Sequence, residues 1–184
     1  MTVKEAIRKS GTYNLLAPGS TKEAERQLQD NETVLFAINS NISVLPVNAS
    51  LEIDLFKIKD KLNGVFVITD KRIFFSSSIL YNKQTKEINL CDITSVDDKT
   101  NALGMSKIRI SGLTEMFVID VNKKTLQALK DSLHHAQNLS SENSATKKVN
   151  AEYIDELERL AKLLKNNIIT QEEFEAKKKQ LLDL

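Results

Sequence analysis

Three lysines alternate near the middle of the chain, at Lys57, Lys59 and Lys61, and Lys71-Arg72 follow shortly after them. Residues two and four positions apart on a β-strand share a face, so the three amines would converge on one side of a strand. Ammonium and guanidinium groups bind phosphate and other anions through charge-assisted hydrogen bonds. The pattern therefore predicts a candidate anion- or lipid-binding site at these five positions.

The same residues also have a structural interpretation. Lysines on a strand edge protect it against unwanted pairing with other strands. Asp54, Asp60 and Asp70 lie among the cations and lower the local positive potential. Thr69 and Arg72 are the residues most suited to tie a hairpin together through their side chains. Both interpretations remain open from the sequence.

Residues suited to catalysis are few. Cys91 is the single cysteine, so it cannot form an internal disulfide, and the chain has only two histidines to complete a zinc site. Asp97-Asp98 follow a predicted strand, where a turn is the ordinary outcome, and His134-His135 point in different directions on a helix. No nucleophile, base and orienting group can be named. We expect no enzyme, no cofactor and no metal site.

Apolar residues recur at helical spacing through residues 151–184, which predicts two helices. Thr170 followed by Glu173 forms a capping box at the start of the second helix. The pair spans about 34 residues, fewer than the ~40 that an isolated domain usually needs, so its apolar faces must dock on another copy, on the rest of the chain or on a partner. The predicted oligomerisation or partner-binding residues are Ile154, Leu157, Leu160, Leu164, Ile169, Phe174 and Leu181.

The net charge of the C-terminal segment helps to distinguish nucleic-acid partners from protein partners. The segment from Lys147 onward has eight basic and eight acidic residues, so its lysines carry no net positive field. Binding of nucleic acid depends on such a field, and we expect it to be unlikely here. A protein partner and homo-oligomerisation are favoured, and a membrane surface remains an alternative partner for the Lys57–Lys61 face.

Composition bounds the class of protein. The chain has 184 residues with 26 basic and 25 acidic side chains, and it has no run of the ~20 apolar residues that a membrane helix requires. The first residues have no apolar stretch typical of a signal peptide, so we expect a cytoplasmic protein. The excess of lysine and asparagine over arginine is typical of an A/T-rich bacterial or phage genome.

The periodicity divides the chain into four parts. Residues 1–31 read as helical, 32–139 as a strand-rich domain with a closing helix, 140–150 as a flexible linker, and 151–184 as the helical hairpin. Short alternating runs without intervening helices predict an antiparallel meander of about seven strands that forms a barrel or bent sheet. The fold class is therefore α+β.

Two further features belong to this organisation. Ser20 and Glu23 are spaced as a capping box, which predicts a helix start at Ser20. Asn39–Leu62 is long for a hairpin loop, and we expect an extra strand around Leu51–Ile58.

Asp155–Leu182 resembles the SHOCT (short C-terminal) domain. Ile169-Thr170-Gln171-Glu172-Glu173-Phe174 and Lys178 match its I-(I/L)-T-x-E-E-F-x-x-x-K core, and Asn167 replaces the usual turn glycine. The resemblance implies an appended two-helix assembly module of the kind often proposed to mediate oligomerisation.

The strand region, Glu32–Leu139, is similar to the bacterial pleckstrin-homology (PH)-like domain of the YokE-like group. The residues that carry the likeness are Gly64–Phe75 (GVFVITDKRIFF) and Ile93–Val96 (ITSV). The resemblance implies a strongly bent sheet of seven strands capped by one helix. It also implies phosphoinositide-type binding near the first hairpin, as in eukaryotic PH domains.

The leading hypothesis is a non-catalytic protein-interaction adaptor that self-associates through its C-terminal hairpin and presents the PH-like domain to a protein or peptide. The alternative is a peripheral membrane protein that uses the Lys57/Lys59/Lys61 face. Nucleic-acid binding through the lysine-rich tail is a weaker alternative.

Overall fold

The computed structural model describes residues 1–12, 18–48, 54–79, 82–165, 168 and 170–181. The chain divides into two compact units, Met1–Ser140 and Ser141–Leu184. The helices are α1 (Val3–Ser10), α2 (Pro18–Gln27), α3 (Lys123–Lys165) and α4 (Gln171–Leu181). The strands are β1 (Val34–Pro46), β2 (Leu62–Thr69), β3 (Arg72–Ile79), β4 (Asn82–Asn89), β5 (Ser95–Thr100), β6 (Met105–Ser111) and β7 (Glu115–Asn122).

The seven strands form one antiparallel sheet in the order β4-β3-β2-β1-β7-β6-β5. The predicted α+β class and the antiparallel sheet of seven strands are confirmed. β1 is the strand that joins the two halves: it pairs with β2 from Val34 to Ile42 and with β7 from Ile42 to Pro46. On the amino-terminal side of Ile42, β1 does not pair with β7.

Both faces of the central strands are buried, and this explains why β2 reads as a continuous apolar run. Phe66 and Ile68 belong to a core with the first part of α3, whereas Val65 and Val67 face a second core under α1 and α2. Successive side chains of a strand point to opposite faces, so alternate residues supply the two cores. In the larger core the rings of Phe66 and Phe117 meet edge to face, 6.2 Å apart.

Three local predictions are wrong. The segment around Leu51–Ile58 contains a short 3-10 helix at Leu55–Lys57 instead of a strand; residues 49–53 lie outside the described part. Ser20 is not an N-cap, because α2 begins at Pro18 and the Ser20 hydroxyl accepts a hydrogen bond from the Ser78 amide at 3.0 Å. The helix that follows Asn122 does not end near residue 139.

The predicted linker, 140–150, is helical and lies within α3. Its composition is polar, but no proline or glycine occurs between Lys123 and Lys165, so nothing in the sequence breaks the backbone hydrogen-bond ladder. The low content of apolar residues in 140–150 predicts an irregular linker. A helix can nevertheless continue through a polar segment, because its backbone hydrogen bonds do not require a buried apolar face at every turn. The four-part division of the chain itself stays a prediction.

Candidate functional site

The three alternating lysines do not share a strand face. Lys57 ends the short 3-10 helix, and Lys59 and Lys61 precede β2, which begins at Leu62. The Asp54 carboxylate causes the departure: it accepts a hydrogen bond from the Phe56 amide at 3.1 Å and so caps the 3-10 turn. Lys57 is paired with Asp54 at 3.8 Å, and Lys59 is exposed. The rule that residues i, i+2 and i+4 converge therefore does not apply here.

Lys71 and Arg72 lie in and after the β2–β3 turn and face different surroundings. Lys71 is exposed and its Nζ donates to the Asp30 carbonyl at 3.0 Å. Arg72 is buried, with 6% of its side chain exposed, and it donates to both oxygens of Glu32 at 2.9 and 3.0 Å. It also contacts the carboxylate of Glu87. The guanidinium group is thus occupied by carboxylates, as the structural interpretation expects.

Glu32 completes this buried pair. Its side chain is fully buried and accepts further hydrogen bonds from the Thr69 hydroxyl and the Gln29 amide, both at 2.8 Å. Burial alone would raise the pKa of Glu32, but the hydrogen bonds from Arg72, Gln29 and Thr69 outweigh it and hold that pKa below its ordinary range. Thr69 also accepts from the Arg72 amide at 3.1 Å, which closes the β2–β3 turn.

Lys61 lies apart from the other predicted cations, beside a carboxylate that is distant in sequence. Its Nζ is 2.7 Å from Asp120 Oδ2 on β7, and the Lys107 Nζ on β6 is 3.0 Å from Asp120 Oδ1. The hydrogen bond to Asp120 raises the pKa of Lys61 against the opposing effect of burial. Lys107 has 6% of its side chain exposed, and its ammonium lies 5.5 Å from the centre of the Phe56 ring.

These charged groups line a cavity of about 350 Å³, which we call the β1–β7 cavity. Its walls come from β1, β6, β7, the first turn of α3, the segment after α1, and the 3-10 helix and loop before β2. Among the residues that the structure describes, the lining consists of Thr12, Ile38, Asn39, Phe56, Lys61, Met105, Ser106, Lys107, Asp120, Val121, Asn122 and Thr125. Of these, the sequence predicted only Lys61. Lys107 sits in an ordinary alternating strand, and no local signal links Lys61 to Asp120, 59 positions away.

The C-terminal unit contains the carboxyl-terminal part of α3, in place of a separate first hairpin helix, and α4 with the predicted capping box. The Glu173 amide donates to Thr170 Oγ1 at 3.2 Å and the Thr170 amide donates to Glu173 Oε2 at 2.8 Å. At the other side of the turn, the Ile168 amide donates to the Leu163 carbonyl at 3.0 Å, a bond typical of a helix carboxyl end. Local hydrogen bonds therefore define the carboxyl end of α3 and the amino end of α4.

The apolar residues of this unit differ in burial. Leu160 is 8% exposed, whereas Leu157, Leu164 and Phe174 are partly exposed. Ile168, which is not among the predicted contact residues, is 65% exposed. Ile169 lies outside the described residues, as do the side chains of Ile154 and Leu181.

The cysteine and the histidines do not form a recognisable catalytic or metal site among the described residues. Cys91 is exposed, and His134 is exposed and within 3.2 Å of the Asn138 side chain. Within the described ranges, no three His, Cys, Asp or Glu side chains are grouped so that they could hold a metal ion. Among the described helices, none combines the length and apolarity that crossing a membrane requires.

Solved structures with similar coordinates include PH domains. The Vps36 N-terminal PH domain is 15% identical with a TM-score of 0.45, and the match covers 65% of this chain and 86% of that one. A Ran binding domain of Nup2 from Ashbya gossypii is 18% identical with a TM-score of 0.41, over 60% of this chain and 99% of that one. These likenesses are too distant to indicate a function. A search of curated proteins found no match.

Family models match in two places. The model described as "Bacterial PH domain" matches residues 28–134, and the model described as "Short C-terminal domain" matches residues 155–182. Both kinds of domain are typically non-catalytic, and PH domains commonly interact with proteins or lipids, so the pair fits a non-catalytic module. The chain belongs to the bacterial PH-domain family, with a short C-terminal (SHOCT) domain following the PH domain.

Proposed function

We propose that this protein is a non-catalytic adaptor whose SHOCT hairpin binds a second copy of the chain, so that two or more PH domains are presented together to a protein or peptide partner. The observation that carries the proposal is the exposure of apolar side chains on a hairpin of this size. Ile168 is 65% exposed, and Leu157, Leu164 and Phe174 are only partly covered.

The size of the hairpin supports docking against another surface. Among the described side chains of the Ser141–Leu184 unit, Leu160 is the only buried apolar one, so this unit by itself buries too little apolar area to offset the conformational entropy lost on folding. The only cysteine of the sequence is Cys91, so no disulfide can stabilise the hairpin. Covering each partly exposed leucine or phenylalanine contributes roughly 25 cal/mol per Å² of apolar surface removed from water.

The charge pattern of α4 supports a second copy as the occupant. Glu172 and Glu173 lie in its first turn, and Lys178 and Lys179 lie in its last turn. A symmetric dimer that packs two α4 helices antiparallel places the acidic end of each against the basic end of the other. The contact of Lys178 with Glu175 at 3.9 Å is a surface pair of small energy and does not prevent this exchange.

The PH domain offers an edge to a peptide. All six residues of β5, Ser95–Thr100, are exposed, and β5 is paired only with β6 in the described sheet. An unpaired edge presents backbone N–H and C=O groups to which an extended peptide can add as a further strand. Joining two such domains increases weak binding through effective concentration, by up to ~10²–10⁴.

Sedimentation equilibrium of the full chain tests the self-association. We expect concentration-dependent oligomers for the wild type. Ile168→Asp should weaken association at least about tenfold, equivalent to ~1.4 kcal/mol, because a carboxylate would be buried in the interface. Phe174→Ala should weaken it in the same direction.

Leu103→Ala is the matched control, since Leu103 is also apolar and is 83% exposed, but in the turn between β5 and β6. It should leave association unchanged. A wild-type chain that stays monomeric at about 100 μM, a concentration at which an interface of even ~5.5 kcal/mol would be half occupied, contradicts the proposal. Equal association of Ile168→Asp and the wild type would also contradict it.

A further inference from the structure

The β1–β7 cavity has a structural origin in the sheet. β1 pairs with β7 only from Ile42 to Pro46, so the two strands separate beside Asn39 on β1 and Asp120 on β7. The space between them is about 350 Å³, within the range of small-molecule sites. The proposed self-association makes no use of this cavity, which lies entirely within the first unit.

The cavity contains more positive than negative charge. Lys61 and Lys107 are both paired with the one carboxylate of Asp120, and these three are the charged residues in the described part of its lining. Lys107 is nearly fully buried, and a buried ammonium is costly unless its charge is balanced. One positive charge therefore remains in a partly desolvated space, where an anion of single charge would balance it.

The start of α3 adds to the positive potential. Thr125, in the first turn of this helix, lines the cavity, and the turn contains Lys123 and Lys124 but no acidic residue. The amino end of a helix carries a partial positive charge. This contribution reinforces the two lysines but would not by itself define a site.

Asn39, in the cavity wall, has an unpaired hydrogen-bond acceptor. Its Oδ1 is buried and has no donor among the residues that the structure describes. The Asn39 backbone amide donates to Thr12 Oγ1 at 3.1 Å, and its Nδ2 donates to the Thr12 carbonyl at 3.0 Å. The second bond fixes the orientation of the amide, so Oδ1 stays the unpaired atom. A buried acceptor without a donor destabilises the protein, and a ligand with an N–H or O–H group would remove this cost.

The other walls are apolar. Phe56, Met105, Ile38 and Val121 line the cavity beside the charged groups, and Met105 is 55% exposed. Met105 is a flexible side chain that adapts to the shape of a bound apolar group. The lining thus combines a cation in excess, an unpaired acceptor and an apolar surface.

We propose that the β1–β7 cavity binds a small organic monoanion that carries an apolar group and a hydrogen-bond donor. An N-acylated apolar amino acid has this chemistry: its carboxylate faces Lys61 and Lys107, its N–H meets Asn39, and its side chain packs on Phe56 and Met105. The same group occurs in a free metabolite and at the carboxyl end of a peptide.

Titration of the isotopically labelled full chain, followed by two-dimensional NMR, tests the site. The probes are N-acetyl-leucine, N-acetyl-leucinamide, inorganic phosphate, and a short peptide ending in leucine as the free acid or the amide, all at constant ionic strength. We expect saturable shifts of the Lys107 and Phe56 signals with the acids, and binding at least about tenfold weaker for the amides and for phosphate. Binding of the peptide acid alone identifies a peptide end as the source, and binding of both acids includes the free metabolite.

Variants show whether the lysines carry the binding. Lys107→Met removes the buried positive charge and leaves Lys61 paired with Asp120, at 2.7 Å in the wild type. Because no positive charge then remains in excess, this variant should bind the acids at least about tenfold more weakly. Lys61→Met, at a side chain one-third exposed, tests the same charge if Lys107→Met does not fold. Lys130→Met, which removes a pair of the same length with Asp98 outside the cavity, should bind as the wild type does.

Two results would overturn the proposal. One is the absence of saturable chemical-shift changes with either acid up to about 10 mM. At this concentration even a ligand with a Kd of about 10 mM, equivalent to a binding free energy of only ~3 kcal/mol, would occupy half of the sites. The other is equal binding of the acids and their amides, because the excess charge would then play no part.

Discussion

Replacing Arg72 by methionine distinguishes a structural arginine from an anion-binding one. Arg72 donates to both oxygens of the fully buried Glu32 and also contacts Glu87. Arg72→Met keeps an extended side chain but leaves the Glu32 carboxylate without its cation. A structural role predicts a large loss of stability, whereas an anion-binding role predicts weaker anion binding with stability retained.

The expected loss follows from the burial of the pair. Removing one partner of a buried ion pair destabilises a protein by about 3–5 kcal/mol, because an uncompensated charge remains. The hydrogen bonds from Thr69 and Gln29 persist and favour the lower end of this range. Such a loss is a large fraction of a typical total stability of about 5–15 kcal/mol. It should lower the melting temperature on the order of 10 °C for a unit of this size.

Urea unfolding at pH 7, followed by circular dichroism, measures the change. Lys86→Met is the control, since Lys86 pairs with Glu115 at 2.6 Å but is about half exposed, and its loss should be no more than ~1 kcal/mol. The double variant Arg72→Met/Glu32→Gln should lose less than the sum of the two single variants, because the buried charge is gone. A loss below ~1 kcal/mol for Arg72→Met, or strict additivity, would refute the reasoning.

Three further predictions follow from the described contacts. The pKa of Glu32 is lowered by folding, so its contribution to stability is present at neutral pH and lost as the pH falls through that lowered value; Glu32→Gln should flatten this acid limb in unfolding curves at pH 3–7. Gly64→Ala should destabilise the first unit by about 1–3 kcal/mol in thermal unfolding, because an added methyl would overlap the Phe75 ring and a backbone carbonyl; an unchanged melting temperature would contradict the packing. Thr170→Ala should weaken α4 by about 1 kcal/mol, seen as faster amide exchange at its first turn, while Thr170→Ser keeps the capping hydroxyl and serves as the control.

Local signals were sufficient for several elements. The strand-like runs Val65–Thr69 and Arg72–Phe75, separated by Asp70-Lys71, predict the β2–β3 hairpin, and the structure places its strands at Leu62–Thr69 and Arg72–Ile79. The spacing of Thr170 and Glu173 predicts the capping box that both hydrogen bonds confirm. These features depend on residues within a few positions of each other, so their energies are contained in short stretches of sequence.

Other features needed the three-dimensional arrangement. The alternation of Lys57, Lys59 and Lys61 predicts a strand face, but Asp54 caps a 3-10 turn there instead. Ser20 and Glu23 have the spacing of a capping box, yet Ser20 bonds to Ser78 on β3 and Glu23 pairs with Lys83 on β4. A polar side chain has several possible partners, and the fold selects the one that burial brings near.

By itself, the sequence determined the α+β class, the number of strands, the start of α4 and membership of the two domain families. Periodicity and helix capping depend on residues close together in the sequence, so they can be recognised without knowing the tertiary contacts. Only the tertiary structure decided that Lys61 and Lys107 share Asp120, that Arg72 is occupied by Glu32, and that a cavity opens where β1 leaves β7. Each of these depends on strands distant in sequence becoming neighbours in the sheet, and charge pairing acts through space and not along the chain.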